Sequence, residues 1–176
     1  MDARYRFSAE KAAAAIHWMV SQGRSVDLHT ALKGFYFADK SFLNAQYRPI
    51  FGATYRAMKY GPVPLEPYEM MKGENLYLQE LDLQETPWRL DGYTLSARRN
   101  DEPDMSVFSA AERDHLRRGF ERSKSMTFTV RTAATHGSDW QQARGGVMRY
   151  EDMLDPEHRT PRIIDYMQDS AATIRL

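Results

Sequence analysis

The sequence predicts a mainly α, α+β domain: a compact helical body with one small antiparallel β-hairpin inserted between its N-terminal and C-terminal helices. Three observations carry that reading. Apolar residues recur at helical spacing in two long N-terminal stretches, with Ala12, Ala15, Ile16 and Met19 in the first and Leu28, Ala31, Leu32, Phe35, Phe42 and Leu43 in the second. The segments TPWRL and YTLSA alternate apolar and polar residues around Asp91-Gly92, a dipeptide favoured in two-residue hairpin turns. Ser109-Ala-Ala-Glu112 is a capping box, in which each side chain satisfies a backbone N–H that the start of a helix leaves unpaired.

Taken in order, Ser8 caps a first helix that stops at Gly23, and Val26-Asp27 opens a second that forms the centre of the core. Tyr47-Arg48-Pro49 interrupts this pattern, because the residue before a proline avoids the helical region. Phe51 to Met58 reads as another short helical segment. It runs into KYGPVP, residues 59–64, read as a corner: Gly61 takes an angle other residues avoid, while Pro62 and Pro64 fix their own. LEPYEMMK makes a short helix ending at Gly73, with Pro67 tolerated in its first turn.

Beyond the hairpin, NDEPD (100–104) is a polar loop, and the capping box starts a helix from about Ala110 to Ser123. Ser125 is the expected cap of the helix through TFTVRTAATH, and Asp139 or Ser138 the cap of the turn carrying Trp140. Gly145-Gly146 breaks this off, and Thr160-Pro161 caps a last helix from Arg162 to about Thr173.

Composition narrows the function. The 176 residues hold no cysteine, which removes disulfides, thiolate nucleophiles and Cys-based zinc sites and suits a reducing, cytoplasmic setting. The N-terminal stretch carries early charges and lacks the form of a signal peptide, and no apolar run is long enough for a membrane span. The 24 basic and 24 acidic side chains cancel, against a protein that binds nucleic acid by neutralising phosphates. The charges are nonetheless segregated: five acids face one base from Glu74 to Asp91, and six bases outnumber three acids from Glu112 to Arg131. Such runs read either as solvated or mutually paired faces, or as a docking surface.

No catalytic centre is expected. The five histidines are scattered without metal-ligand spacing, and neither a phosphate-binding loop nor a serine elbow is present, so neither metal nor cofactor is implied. Asp39, beside the apolar stripe of the second helix, reads as a structural hydrogen-bond anchor for a nearby turn. His136 and Trp140 also read as structural. A helix-turn-helix reading of the first two helices fails on a recognition helix that starts with Asp27 and carries Phe35, Tyr36, Phe37 and Phe42 in place of base-reading residues. DNA-binding autoregulation of its own operon stays as the alternative class.

The strings ALKGFYFADKSFL, AMKYGPVP, SAAERDHL and THGSDWQQA resemble, in order and spacing, the Panacea domain of SocA-type antitoxins, known also from GepA-like phage-associated proteins. The resemblance covers about Ser8 to Arg144, which sets a domain at 1–144 and a C-terminal extension with a terminal helix at 145–176. Where the family often has Lys-Leu-Leu-Tyr, this chain has Lys33-Gly34-Phe35-Tyr36. The resemblance implies a non-enzymatic antitoxin that neutralises a cognate toxin by direct contact. A SocB-type toxin and delivery to the ClpXP protease as a proteolytic adaptor are the family's pattern. The matching residues Tyr36, Phe37, Asp39, Lys40, Tyr60, Gly61, Pro62, Val63, Pro64, His136 and Trp140 are then framework, and Trp88, Tyr93, Arg117, Arg118, Arg122, Tyr150 and Tyr166 are the candidate partner contacts.

Overall fold

The computed structural model describes residues 2–176. Helix α1 (Ala9–Ser21) is capped by Ser8, whose side chain accepts from the Lys11 N–H, and it buries Ala12, Ala15, Ile16 and Met19. Strand β1 (Ser25–Asp27) leads into α2 (Leu28–Gln46), whose cap Asp27 accepts from the Thr30 N–H. Helix α2 is buried on nearly every side from Leu28 to Asp39 and is the axis of the core. It ends where Tyr47 takes a left-handed backbone, two residues before Pro49.

The segment from Phe51 to Met58 is not helical. Ile50 and Phe51 donate their backbone N–H groups to the Asp39 carboxylate, and the residues that follow are held extended by pairing with the next strand. Residues Tyr55–Met58 then form β2, with Tyr55 and Ala57 inward and Arg56 and Met58 outward. KYGPVP is likewise no corner between helices: Gly61–Pro64 is β3, paired antiparallel with β2 in the register Arg56↔Val63, and Lys59-Tyr60 is the turn. Proline suits this strand because it lies at a sheet edge where donors are dispensable. Gly61 is at φ 101°, so the expectation of a special glycine angle holds within a hairpin.

Helix α3 (Leu65–Met71) carries Pro67 as its third residue, where no intrahelical N–H is lost. A further helix, α4 (Asn75–Glu80), had no cap signal in the sequence and has no side-chain cap in the structure. The expected hairpin is present as β4 (Trp88–Asp91) and β5 (Thr94–Ala97), turning at Gly92-Tyr93. It gains a third strand, because β1 pairs with β5 through Val26↔Leu95.

Helix α5 (Ala110–Lys124) begins with both bonds of the Ser109–Glu112 capping box. It packs along α2 so closely that a Cβ at Gly119 would lie 2.6 Å from the Ala38 backbone nitrogen. Helix α6 (Phe128–Ala134) is capped by Thr127 and not by Ser125. Helix α7 (Ser138–Ala143) starts from Gly137 without a side-chain cap, since Asp139 is turned into the core. Residues 145–154 lie against the free edge of β2, with Arg56↔Val147 bridged and the Tyr150 hydroxyl donating to the Ala53 carbonyl. Helix α8 (Pro161–Thr173), capped by Thr160 as expected, adds Met167 and Ala171 to the same apolar cluster. No helix among the described residues is long and apolar enough to cross a membrane.

Gly61→Ala tests the hairpin. Its Cβ would sit 2.4 Å from Thr135 Oγ1 and 2.9 Å from Lys33 Cε at a positive φ. A loss of about 2 kcal/mol is expected in urea denaturation, combining backbone strain and overpacking.

Candidate partner-docking surface

The framework under the site begins at Asp39. Its Oδ1 accepts from the N–H groups of Ile50 (2.7 Å) and Phe51 (3.2 Å), and its Oδ2 from the Tyr55 hydroxyl (2.8 Å). The group is fully buried. Burial pushes its carboxyl up to about 7, against the downward pull of those three donors. A second knot joins distant strings: the Tyr36 hydroxyl and the Lys40 ammonium both donate to Asp139 Oδ2, at 2.6 and 2.9 Å. Trp140, next to Asp139, stacks on His136 with ring centroids 3.8 Å apart and donates its Nε1–H to the Met58 carbonyl. Phe37 lies in the core under the Arg122 guanidinium. Tyr36, Asp39, Lys40, His136 and Trp140 therefore hold α2, the β2–β3 hairpin and α7 together. Asp139, weighed in the sequence only as a cap, is the residue on which two of them converge.

A third set of bonds fixes the turn. Lys33 is buried in α2, and its ammonium donates to the Pro62 carbonyl at 2.7 Å. His29 Nε2 pairs with the Tyr60 carbonyl at 3.1 Å while Nδ1 faces Arg131 Nη1 at 2.9 Å, which sets Nε2–H as donor and Nδ1 as acceptor. Burial, then the Lys33 and Arg131 charges, lower His29 to about 4. Arg131 is itself buried and donates to the carbonyls of Ser123 and Met126, so it clamps the α5–α6 connection.

Over this framework lies an open groove of about 630 Å³. Its rim gathers four large apolar side chains from separate segments: Met58, Tyr60, Tyr93 and Phe128, exposed by 45, 48, 82 and 48%. Leu28, Leu32, Val63 and Tyr68 line it further in. The rings are set by contact, with Phe128 4.2 Å from His29 and edge-on to Tyr60 at 5.2 Å. Exposed apolar side chains scattered singly carry no message, whereas several gathered in one concavity mark a recognition surface.

The residues expected to meet a partner divide. Trp88 and Tyr150 are core: the Trp88 Nε1–H donates to the Met70 carbonyl, and the Tyr150 hydroxyl is spent on Ala53. Both aromatics have their polar ends satisfied inside, so neither is free for a partner. The basic residues of α5 are largely neutralised in place, with Arg117 bonded to Asp114 and Glu121, Arg118 to Asp114, and Arg122 laid over Phe37 at 4.2 Å. Tyr166 is exposed on α8, beside Tyr47, Arg162 and Ile163 and away from the groove lining. Of the seven, Tyr93 alone lines the groove. Met58 and Phe128 went unnoticed in the sequence; the one available signal was that Met58 has the outward parity of its strand while being apolar.

Residues 32–141 match the family model of the antitoxin SocA-like, Panacea domain. The chain belongs to this family of antitoxin-like proteins, whose span runs from the floor of the groove in α2 to the middle of α7. No curated protein and no solved structure matches the chain.

Two measurements check the framework. Asp39→Ala strands two backbone donors and a hydroxyl, and is expected to cost about 3 kcal/mol or more in urea denaturation, with Asp39→Asn, which keeps an acceptor, costing less. Burial, reinforced by the Arg131 charge, lowers the Lys33 ammonium to about 7. Its folded value lies below the unfolded 10.5, so from pH 7 upward the unfolded chain holds the extra proton and stability rises with pH. The wild type is expected to gain on the order of 1 kcal/mol between pH 7 and 8 from this group, a gain absent from Lys33→Met.

Proposed function

We propose that this protein is an antitoxin that neutralises a cognate toxin by direct protein–protein contact through the groove between the β2–β3 turn, the β4–β5 turn and α6. The observation that carries the reading is the convergence of Met58, Tyr60, Tyr93 and Phe128 around one concavity in a member of an antitoxin family. Large, semi-rigid aromatic and Met side chains are the types that dominate protein interfaces, and a specific complex would cover about 800 Å² on each partner. The role is non-catalytic on this reading. His29 and Lys33, the titratable groups beneath the groove, are committed to structure, with His29 bonded at both nitrogens and Lys33 at Pro62. Delivery of the bound toxin to the ClpXP protease, with a SocB-type toxin as the cargo, is the further step that the resemblance supports. The helix-turn-helix form of the DNA-binding alternative gains no support from α2, which is buried along most of its length.

The test is co-expression with the product of the neighbouring gene. That product alone is expected to stop growth, and the antitoxin to restore it and to co-purify with it as a stable complex. In cells lacking ClpXP, a pure binder still rescues growth, whereas an obligate adaptor does not. Rescue without any isolable complex, or no rescue in cells with the protease, would sink the reading.

A further inference from the structure

The groove carries an unpaired cation at its rim. The Lys33 ammonium lies beneath the apolar floor, and Lys59 stands at the rim with its Nζ 5.1 Å from the centre of the Tyr60 ring. Among the described residues neither has a carboxylate within 4.0 Å. The groove's single acid, Asp27, is already spent: it accepts from the N–H and hydroxyl of Thr30 and lies 3.9 Å from Arg131. That leaves the exposed Lys59 at the rim as a cation without a carboxylate partner. The backbone at its edge is closed to strand addition, because Pro62 and Pro64 have no N–H and the Pro62 carbonyl is taken by Lys33.

We propose, building on the antitoxin reading, that the groove recognises an acidic apolar patch of the toxin: apolar side chains seated among Tyr60, Tyr93, Met58 and Phe128, with an Asp or Glu carboxylate brought to Lys59 above the Lys33 floor. Recognition runs through side chains and not through an added β-strand. Charge complementarity of this kind selects partners and speeds encounter more than it deepens affinity, so the aromatic rim supplies the strength and Lys59 the choice.

The experiment measures the affinity of the purified wild-type chain for the neighbouring-gene product over a range of salt, against Tyr60→Ala, Tyr93→Ala, Lys59→Gln and Lys59→Glu. All three positions are exposed, and thermal melts verify that each variant is folded. Loss of about tenfold is expected for each aromatic truncation and for Lys59→Glu, with a smaller loss for Lys59→Gln. Wild-type affinity should fall with salt more steeply than that of Lys59→Gln. An Asp or Glu→Lys change in the toxin should restore binding to Lys59→Glu alone. If the wild type binds and the folded variants bind equally well, the groove proposal is overturned while the antitoxin reading stands. Aromatic losses without any Lys59 or salt effect would overturn the acidic part. If the wild type does not bind at all, the antitoxin reading fails and takes this proposal with it.

Discussion

The carboxylate of Asp39 sets the position of everything on one side of the central helix. A charged group with no solvent around it must find donors, and here it finds the N–H groups of Ile50 and Phe51 and the hydroxyl of Tyr55. Those three bonds tie Ile50, Phe51 and Tyr55 to α2, and pairing with β3 and with residues 146–148 keeps the chain beyond them extended. Tyr55 is the first residue of β2, so the anchor also fixes where the β2–β3 hairpin starts. From there Trp140 secures the far end of β2 at the Met58 carbonyl, and Lys33 and His29 secure the turn and β3. The groove is the outer surface of a hairpin held at each of these points.

This division of labour explains why family-marking residues and contact residues are different sets. Tyr36, Lys40, Asp139, His136 and Trp140 face inward and solve problems of burial and hydrogen bonding. Met58, Tyr93 and Phe128 solve none of these and leave much of their apolar surface in water. Tyr60 belongs to both sets: its carbonyl binds His29 and its ring stands at the rim.

Helices with a local cause were legible in advance. Ser8, Asp27, Ser109 and Thr160 act through atoms three residues away, and all four caps are present. The β4–β5 hairpin was legible for a similar reason, since a two-residue turn and its flanking alternation are local. The misses have non-local causes. Within Phe51 to Met58, residues 55–58 are a strand because β3 pairs with them, and β1 became a strand because β5 lies beside it. Helix α4 lacks a side-chain cap to announce it. At the site, Tyr93 lies in the β4–β5 turn and not in the YTLSA strand, one residue past the expected Asp91-Gly92 turn, while Trp88 and Tyr150, expected at a partner surface, are core, because an aromatic with a polar end is equally at home in either.

The sequence by itself determined the mainly helical class, the limits of most helices, one hairpin, the absence of cysteine chemistry and the family strings. Each of these depends on residue type or on spacing within a few positions. Only the tertiary structure decided that KYGPVP is a strand and its turn, and that residues 58, 60, 93 and 128 share one groove. Those outcomes depend on which atoms meet across dozens of residues. Burial and hydrogen-bond competition settle such meetings, and no local pattern encodes them.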